Sequence, residues 1–474
     1  MSHQAQGRDS GFREHHQELN RALGWLLRGA DFSAVQLRKD CQWSIRGLVT
    51  TAVLWAWSGE TTLGERFKQA NKITRRMLGQ KKVPKVSYQA FMTLLRRWTT
   101  VVTRELTLVF RQRMETVFAD SWKIAGFVAF GVDGSRLELP RTASNERYFS
   151  PQRSPVRRPP ANKKNKRRVR KHKQRAATRA KKANSPQMWV TTIWHLGVGM
   201  PWSWRLGPSN SSERTHLQEM LGELLKGALL VADAGFFGYA LWSAVLAAGH
   251  HFLIRVGSNV RLLKKLGYVK EKNGLVYCWP DHAASQSQPP LVLRLVVVHN
   301  GKHPVYLVTS VLDESRFSNI QVATTYSRRW GIELFYRDLK QTFDRTKLRS
   351  RSPGNALLEA EWSLIGMWAM TIHARYQLKS KAIDPARLSI AAMLRAYRAA
   401  MNEYKSIPET GEDLRTRLTR ALKDTYQRKS KASRNYPRKK QETAAGPPII
   451  NVATKKQIKT AREIKRQIEK GLTA

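Results

Sequence analysis

Apolar residues recur along this chain with two different periods, and the change of period marks its organisation. Between residues 18 and 118 the spacing is helical. Leu23, Leu26 and Leu27 fall at i, i+3 and i+4, and Y-Q-A-F-M-T-L-L-R-R-W (88–98) sets apolar residues on one side with arginines on the other. From about residue 119 the runs shorten and become continuous. I-A-G-F-V-A-F-G-V-D-G (124–134) reads as a buried strand entering an Asp-Gly turn. M-W-V-T-T-I-W-H-L-G (188–197) and W-S-W-R-L-G (202–207) read as two more strands about a turn at Gly199 to Pro201. S-S-E-R-T-H-L-Q-E-M-L-G-E-L-L (211–225) opens with serines suited to cap a helix. The strand A-L-L-V-A-D (228–233), a helix over 237–249 and the strand H-F-L-I-R-V-G (251–257) follow. Three strands, a helix, a strand, a helix and a strand predict a mixed α/β sheet with helices on its faces. Residues 259–318 turn β-rich, with a hairpin expected at Asn300-Gly301, and helix returns from about Asn319 to about Glu403.

These shifts divide the chain into a helical N-terminal domain (1–118), the first part of an α/β core (119–258), a β-rich insertion (259–318), a helical continuation of the core (319–410) and a basic tail (411–474). Inside the core, residues 151–183 carry no acid and almost nothing apolar. Such a segment cannot offset its ordering entropy and is expected to be disordered alone. No internal repeats occur.

Charge then narrows the class of partner. The 474 residues hold 84 Lys and Arg against 35 Asp and Glu, a formal net charge of +49. That excess is spread along the whole chain and points to a polyanion, with nucleic acid first among the candidates. The insert at 151–183 and the tail after Arg417 read as phosphate-binding arms. The basic N-terminal helices fit either a DNA-gripping domain or a packing domain with a solvated face. Two cysteines, Cys41 and Cys278, build neither a disulfide framework nor a Cys-based zinc site and fit a reducing cytosol. The N-terminus lacks the apolar core of a signal peptide, and the longest apolar run, Ala228 to Leu253, contains Asp233 and paired histidines. A soluble, cytoplasmic protein is expected, with no membrane partner.

The candidate chemistry lies in Y-S-R-R-W-G-I-E-L-F-Y-R-D-L-K (326–340), where Glu333 stands among arginines, aromatics and a lysine. On a continuous helix, Tyr326, Arg329, Glu333 and Lys340 fall within an arc of about 60°, beside the apolar side formed by Ile332, Phe335, Leu339 and Phe343. An ordinary surface helix with an Arg329–Glu333 ion pair explains part of this, but not the full Y-(2)-R-(3)-E-(6)-K spacing. That spacing resembles the signature of the DDE transposases of bacterial insertion sequences, in particular the IS-four branch. Two further acids stand at the ends of apolar strands upstream, Asp133 in F-G-V-D-G-S-R and Asp233 in L-L-V-A-D-A-G-F-F-G, with Ala234 where many members carry a charged residue.

The resemblance covers roughly Gly126 to Lys340 and implies an RNase H-like core with the β-rich insertion before its glutamate. It implies that Asp133, Asp233 and Glu333 are the catalytic acids and hold two Mg²⁺ ions, for which Mn²⁺ can substitute. Hard cations of this kind take carboxylate oxygens and substrate phosphate. It also implies that Arg329, Lys340 and Tyr326 contact DNA phosphates and that Trp330 stacks on a displaced base; a core position would suit Trp330 equally. His195, on the strand beside that of Asp133, is expected to be a hydrogen-bonded core histidine. The implied function is cut-and-paste transposition of the chain's own insertion sequence, with terminal inverted repeats and target DNA as partners. A homodimer in the synaptic complex and a nucleoid-associated location follow. The alternatives are an RNase H-like nuclease that cuts without joining, and an inactive transposase-derived DNA-binding protein.

Overall fold

Continuous apolar runs become the middle of one sheet, because a strand buried on both faces needs apolar side chains in both directions. The computed structural model describes residues 17–79, 83–150, 185–300, 303–404, 412–424 and 446–470. The basic insert at 151–183 and residues 425–445 of the basic tail lie outside them, as does Gly301 of the expected hairpin turn.

The helical N-terminal segment comprises α1 (17–27), α2 (Ile45–Trp57), α3 (Leu63–Leu78) and α4 (Tyr88–Val117). Capping explains where they start. Ser44, Thr62 and Ser87 each accept a backbone N–H from the first turn, and Thr62 forms a capping box with Glu65. The core then runs β1 (Ala129–Glu138), α5 (Ala143–Phe149), β2 (Gln187–His195), β3 (Met200–Gly207), α6 (Glu213–Met220), β4 (Leu229–Ala232), α7 (Tyr239–Ala247) and β5 (His251–Val256). Apart from α5, which was not expected, this is the order of strands and helices expected from the sequence. β1 pairs antiparallel with β2, and β2 with β3, whereas β4 and β5 run parallel to β1. The sheet order β3-β2-β1-β4-β5 is RNase H-like.

The β-rich stretch does not form a sheet of its own. It supplies β6 (Arg261–Lys264), β7 (Leu275–Cys278), the short helix α8 (Asp281–Ser285), β8 (Leu291–Asn300) and β9 (His303–Thr309), and β9 pairs antiparallel with β5. An unpaired β5 edge would leave a row of backbone groups without partners, and β9 satisfies them. Part of the tail also joins this sheet. Ile449–Val452 forms β10, parallel to β6, giving one sheet of 10 strands among the described residues.

After β9 the chain forms α9 (Asn319–Ser327), α10 (Trp330–Arg337), α11 (Pro353–Lys379), α12 (Ile390–Glu403), α13 (Leu414–Thr419) and finally α14 (Lys455–Glu469). α11 is buried on nearly every side and forms the axis on which the N-terminal helices pack. Trp57 Nε1 donates to the Gly366 carbonyl (2.8 Å) and Trp362 Nε1 to Thr99 Oγ1 (2.9 Å). A Cβ on Gly366 would come within 2.8 Å of the Ala56 Cβ, so the α2 and α11 backbones meet at a spot only glycine allows. The buried residues of the N-terminal helices and of the sheet form one continuous core. Among the described residues, no helix is long and apolar enough to cross a membrane.

The signature segment departs from a single helix. α9 ends at Ser327, the chain tightens through i→i+3 bonds (Arg329 N–H to the Tyr326 carbonyl, Ile332 N–H to the Arg329 carbonyl), and α10 restarts at Trp330. Gly331 lies at this restart. It packs against the indole of Trp194, and a Cβ there would lie 3.1 Å from Trp194 Nε1. α10 then runs into a π turn over Asp338–Thr342, with Phe343 N–H bonded to the Asp338 carbonyl.

Candidate active site

β1 and β4 carry the two aspartates. Ala129–Val132 and Leu229–Ala232 are buried, and Asp133 and Asp233 are the first residues of each run to reach the surface. The expected turn at Asp133-Gly134 does not form, since β1 continues to Glu138. The parallel register pairs Gly131 with Val231, so two residues on, Asp133, midway along β1, stands beside Asp233, just past the carboxyl end of β4. Open α/β sheets bind ligands at this edge. Each aspartate accepts a backbone N–H from a glycine just after it. Asp133 Oδ1 accepts the Gly134 N–H and Asp233 Oδ1 the Gly235 N–H, each at 2.8 Å.

The helix with the glutamate docks on the same strand. The buried Tyr336 hydroxyl bonds the carbonyl of Asp133 (2.9 Å), the carbonyl of Val190 (3.0 Å) and Thr192 Oγ1 (3.0 Å). Glu333, one turn earlier, is thereby brought to the aspartates. Its Oε1 accepts from Arg329 Nη2 at 2.7 Å, in a pair whose arginine is largely buried. The Arg329 guanidinium lies 5.6 Å from the Tyr326 ring. Burial works against the Arg329 charge, but Tyr326, Glu333 and Asp233 together hold its pKa above the ordinary value. Lys340 reaches β1 from the π turn, its Nζ bonding Ser135 Oγ at 2.6 Å. Ser135 shares a strand face with Asp133. Burial lowers the Lys340 pKa, and Glu138 and Asp133 oppose it.

The site is strongly acidic at its centre. Burial pushes the Asp133 carboxyl up to about 6; the Gly134 N–H and Arg329 hold it down, and Asp233 and Glu333 add to the rise. A fourth carboxylate, Glu213 at the start of α6, is pushed up to about 7 by burial and by Asp133 and Asp233, against Arg136 and Arg214. The sequence reading treated S-S-E-R as a helix cap, but Ser212 makes no side-chain capping bond. The overlooked signal was an acid in the first turn of the one helix that links the strand pair β2–β3 to β4.

The remaining expected residues divide. Trp330 lies on the surface, 57% exposed, rather than in the core. Tyr326 is half-buried behind Arg329. His195 is a core residue paired in register with Phe130, not Asp133; its Nδ1 accepts the Val198 N–H and it packs against Trp122. Among the described residues, no three His, Cys, Asp or Glu side chains lie close enough to share one metal ion. Glu333 is bonded to Arg329. In kind the donors suit a hard cation: partly buried carboxylates of like charge, with no sulfur or imidazole among them.

Comparison with known proteins bears on this group of residues. A family profile described as "Transposase DDE domain" matches residues 130–367, half of the chain, and spans Asp133, Asp233 and Glu333. "Transposase InsG for insertion sequence element IS4" of Escherichia coli is 29% identical over 181 residues, which is 36% of this chain and 40% of that protein's length. Among solved structures, a piggyBac transposase synaptic complex with hairpin DNA aligns over 91% of this chain and 88% of that one at 12% identity. Its TM-score is 0.36, too low to carry an argument.

Proposed function

Because this chain belongs to the family of DDE-domain transposases, we propose that it is a metal-dependent transposase that excises and inserts its own insertion sequence by cut-and-paste. The observation that carries this reading is the placing of the two aspartates side by side, with the helix of the glutamate docked on the strand of the first. Asp133 and Asp233 stand on neighbouring parallel strands, and the Glu333 helix is bonded to the backbone of Asp133 itself.

The family uses divalent metal. Two Mg²⁺ ions on Asp133, Asp233 and Glu333, with Mn²⁺ able to substitute, would activate the attacking oxygen and stabilise the leaving one at the phosphodiester. The chain's own residues then have separate tasks. Arg329 presents a planar fork and Lys340 a point charge to phosphate oxygens beside the acids. Arg329 also holds Glu333 until an anionic phosphate competes for the guanidinium and releases the carboxylate toward the aspartates. Tyr326, against the Arg329 guanidinium, supports that fork and is the further phosphate contact. Trp330, exposed at the start of α10, offers a face on which an unpaired base can stack, worth about 1–3 kcal/mol. The partners are the terminal inverted repeats and target DNA, with a homodimer holding two ends in the bacterial nucleoid.

The test is incubation of purified protein with DNA bearing the terminal repeats and Mg²⁺. Excised fragments joined into a second plasmid support transposition. Cleavage without joining identifies a nuclease, and binding alone identifies an inactive descendant. Asp133→Asn, Asp233→Asn and Glu333→Gln are each expected to abolish cleavage while keeping end binding. A Glu333→Gln variant that cuts at the wild-type rate overturns the assignment of Glu333.

A further inference from the structure

The acids of the signature leave Glu213 unaccounted for, and its placement is too specific for a helix-start residue. Its side chain lies flat against Gly134, the residue after Asp133. A Cβ on Gly134 would fall 2.6 Å from Glu213 Oε1 and 2.7 Å from its Cγ, so the approach is possible only over a bare Cα. The other oxygen lies near Gly235, in the loop that follows Asp233. The Cβ position of Gly235 lies 3.0 Å from Asp233 Oδ1 and 4.0 Å from Glu213 Oε2. One carboxylate therefore spans the glycines that follow the two aspartates.

This position is fixed from the neighbouring residue. Arg214 Nε donates to the Gly235 carbonyl at 2.8 Å, and its guanidinium lies 4.6 Å from the Phe237 ring, pinning the start of α6 to the loop that follows Asp233. Arg214 is thus spent on the loop and makes no ion pair with Glu213. Among the described residues, Glu213 has neither a side-chain hydrogen bond nor an ion pair. A half-buried carboxylate without a partner beside two others is unfavourable unless something positive arrives.

We propose that Glu213 is a fourth carboxylate of the cation site, bonding the water shell of the ion held by Asp133 and Asp233. Mg²⁺ keeps several of its waters, so a carboxylate too distant to ligate directly still takes part through them. The proposal rests on the DDE reading above.

The test uses the full-length chain freed of metal by a chelator. Mn²⁺ binding is measured by calorimetry, and cleavage of end-bearing DNA is followed against Mn²⁺ concentration. Glu213→Gln is expected to weaken Mn²⁺ binding by about 10–100-fold and to raise the concentration for half-maximal cleavage by a similar factor. Saturating Mn²⁺ should restore most of the rate, and Glu213→Asp part of the affinity; a purely structural role would lower the rate at every concentration. Should Glu213→Gln bind Mn²⁺ like the wild type while Asp133→Asn does not, the inference is overturned and the DDE reading stands. Should Asp133→Asn also bind like the wild type, the DDE reading falls and the inference with it.

Discussion

Asp133 and Glu213 show how a few glycines and a strand end create a charged site within an apolar core. Gly134 is in ordinary extended backbone, so its role is space: Ala fits the chain there but meets the Glu213 side chain. Gly134→Ala should therefore fold and should weaken Mn²⁺ binding in the direction of Glu213→Gln; calorimetry with unchanged affinity would show that the close approach is unimportant. The same crowding has a sign in pH. Both carboxyls are raised, to about 6 and about 7, above the usual range they return to on unfolding. Between the usual carboxylate range and those values, the folded chain binds protons the unfolded chain has released, so metal-free stability falls as pH rises through that window. Melting in EDTA at pH 5 and pH 7.5 should show a loss that is smaller for Asp133→Asn than for the wild type. Mg²⁺ should reverse part of it, since a cation takes the place of the lost protons. An identical pH dependence in the two proteins would exclude Asp133 as its source. The two aspartates were legible because each ends an apolar run, whereas Glu213 was not. Its meaning depends on a glycine 79 residues away in sequence, and no local spacing carries that.

Among the elements, α10 matters most, because it sets where Glu333 points. Period and spacing located it, but the break at Ser327–Trp330 was hidden. Beside it Gly331 closes on Trp194, a contact between segments that are far apart in sequence. The order of strands was legible from apolar runs and turn residues. The joining of β6–β9 and β10 into the core sheet was not, because an edge strand looks the same whichever neighbour it pairs with. Tyr336 holds α10 in place, and its hydroxyl meets three acceptors on β1 and β2. Removing that hydroxyl leaves buried acceptors unpaired, which costs about 1–3 kcal/mol. Tyr336→Phe is expected to lower stability in urea by that amount and to cut the cleavage rate more than end binding, since the Glu333 helix loosens while the basic surface is unchanged. If end binding falls as far as cleavage does, Tyr336 supports the fold alone.

For the molecule as a whole, the net charge of +49 predicts how it meets DNA before any chemistry occurs. Each phosphate neutralised releases counterions, and the logarithm of affinity falls with the logarithm of salt by about 0.9 per contact. The run at 151–183, rich in Lys and Arg and free of acids, lies in the chain between β1 with Asp133 and β2, the strand beside it. Phosphate contacts carry no sequence information. Deleting 151–183 should therefore lower affinity for end-bearing and unrelated DNA by the same factor and make the salt dependence shallower. The cut position at low salt should not change. Binding measured between 50 and 200 mM salt decides it: a shallower line means the segment grips the backbone, whereas a parallel line means its charge never touches the DNA. A loss confined to end-bearing DNA would give this segment a part in reading the repeats.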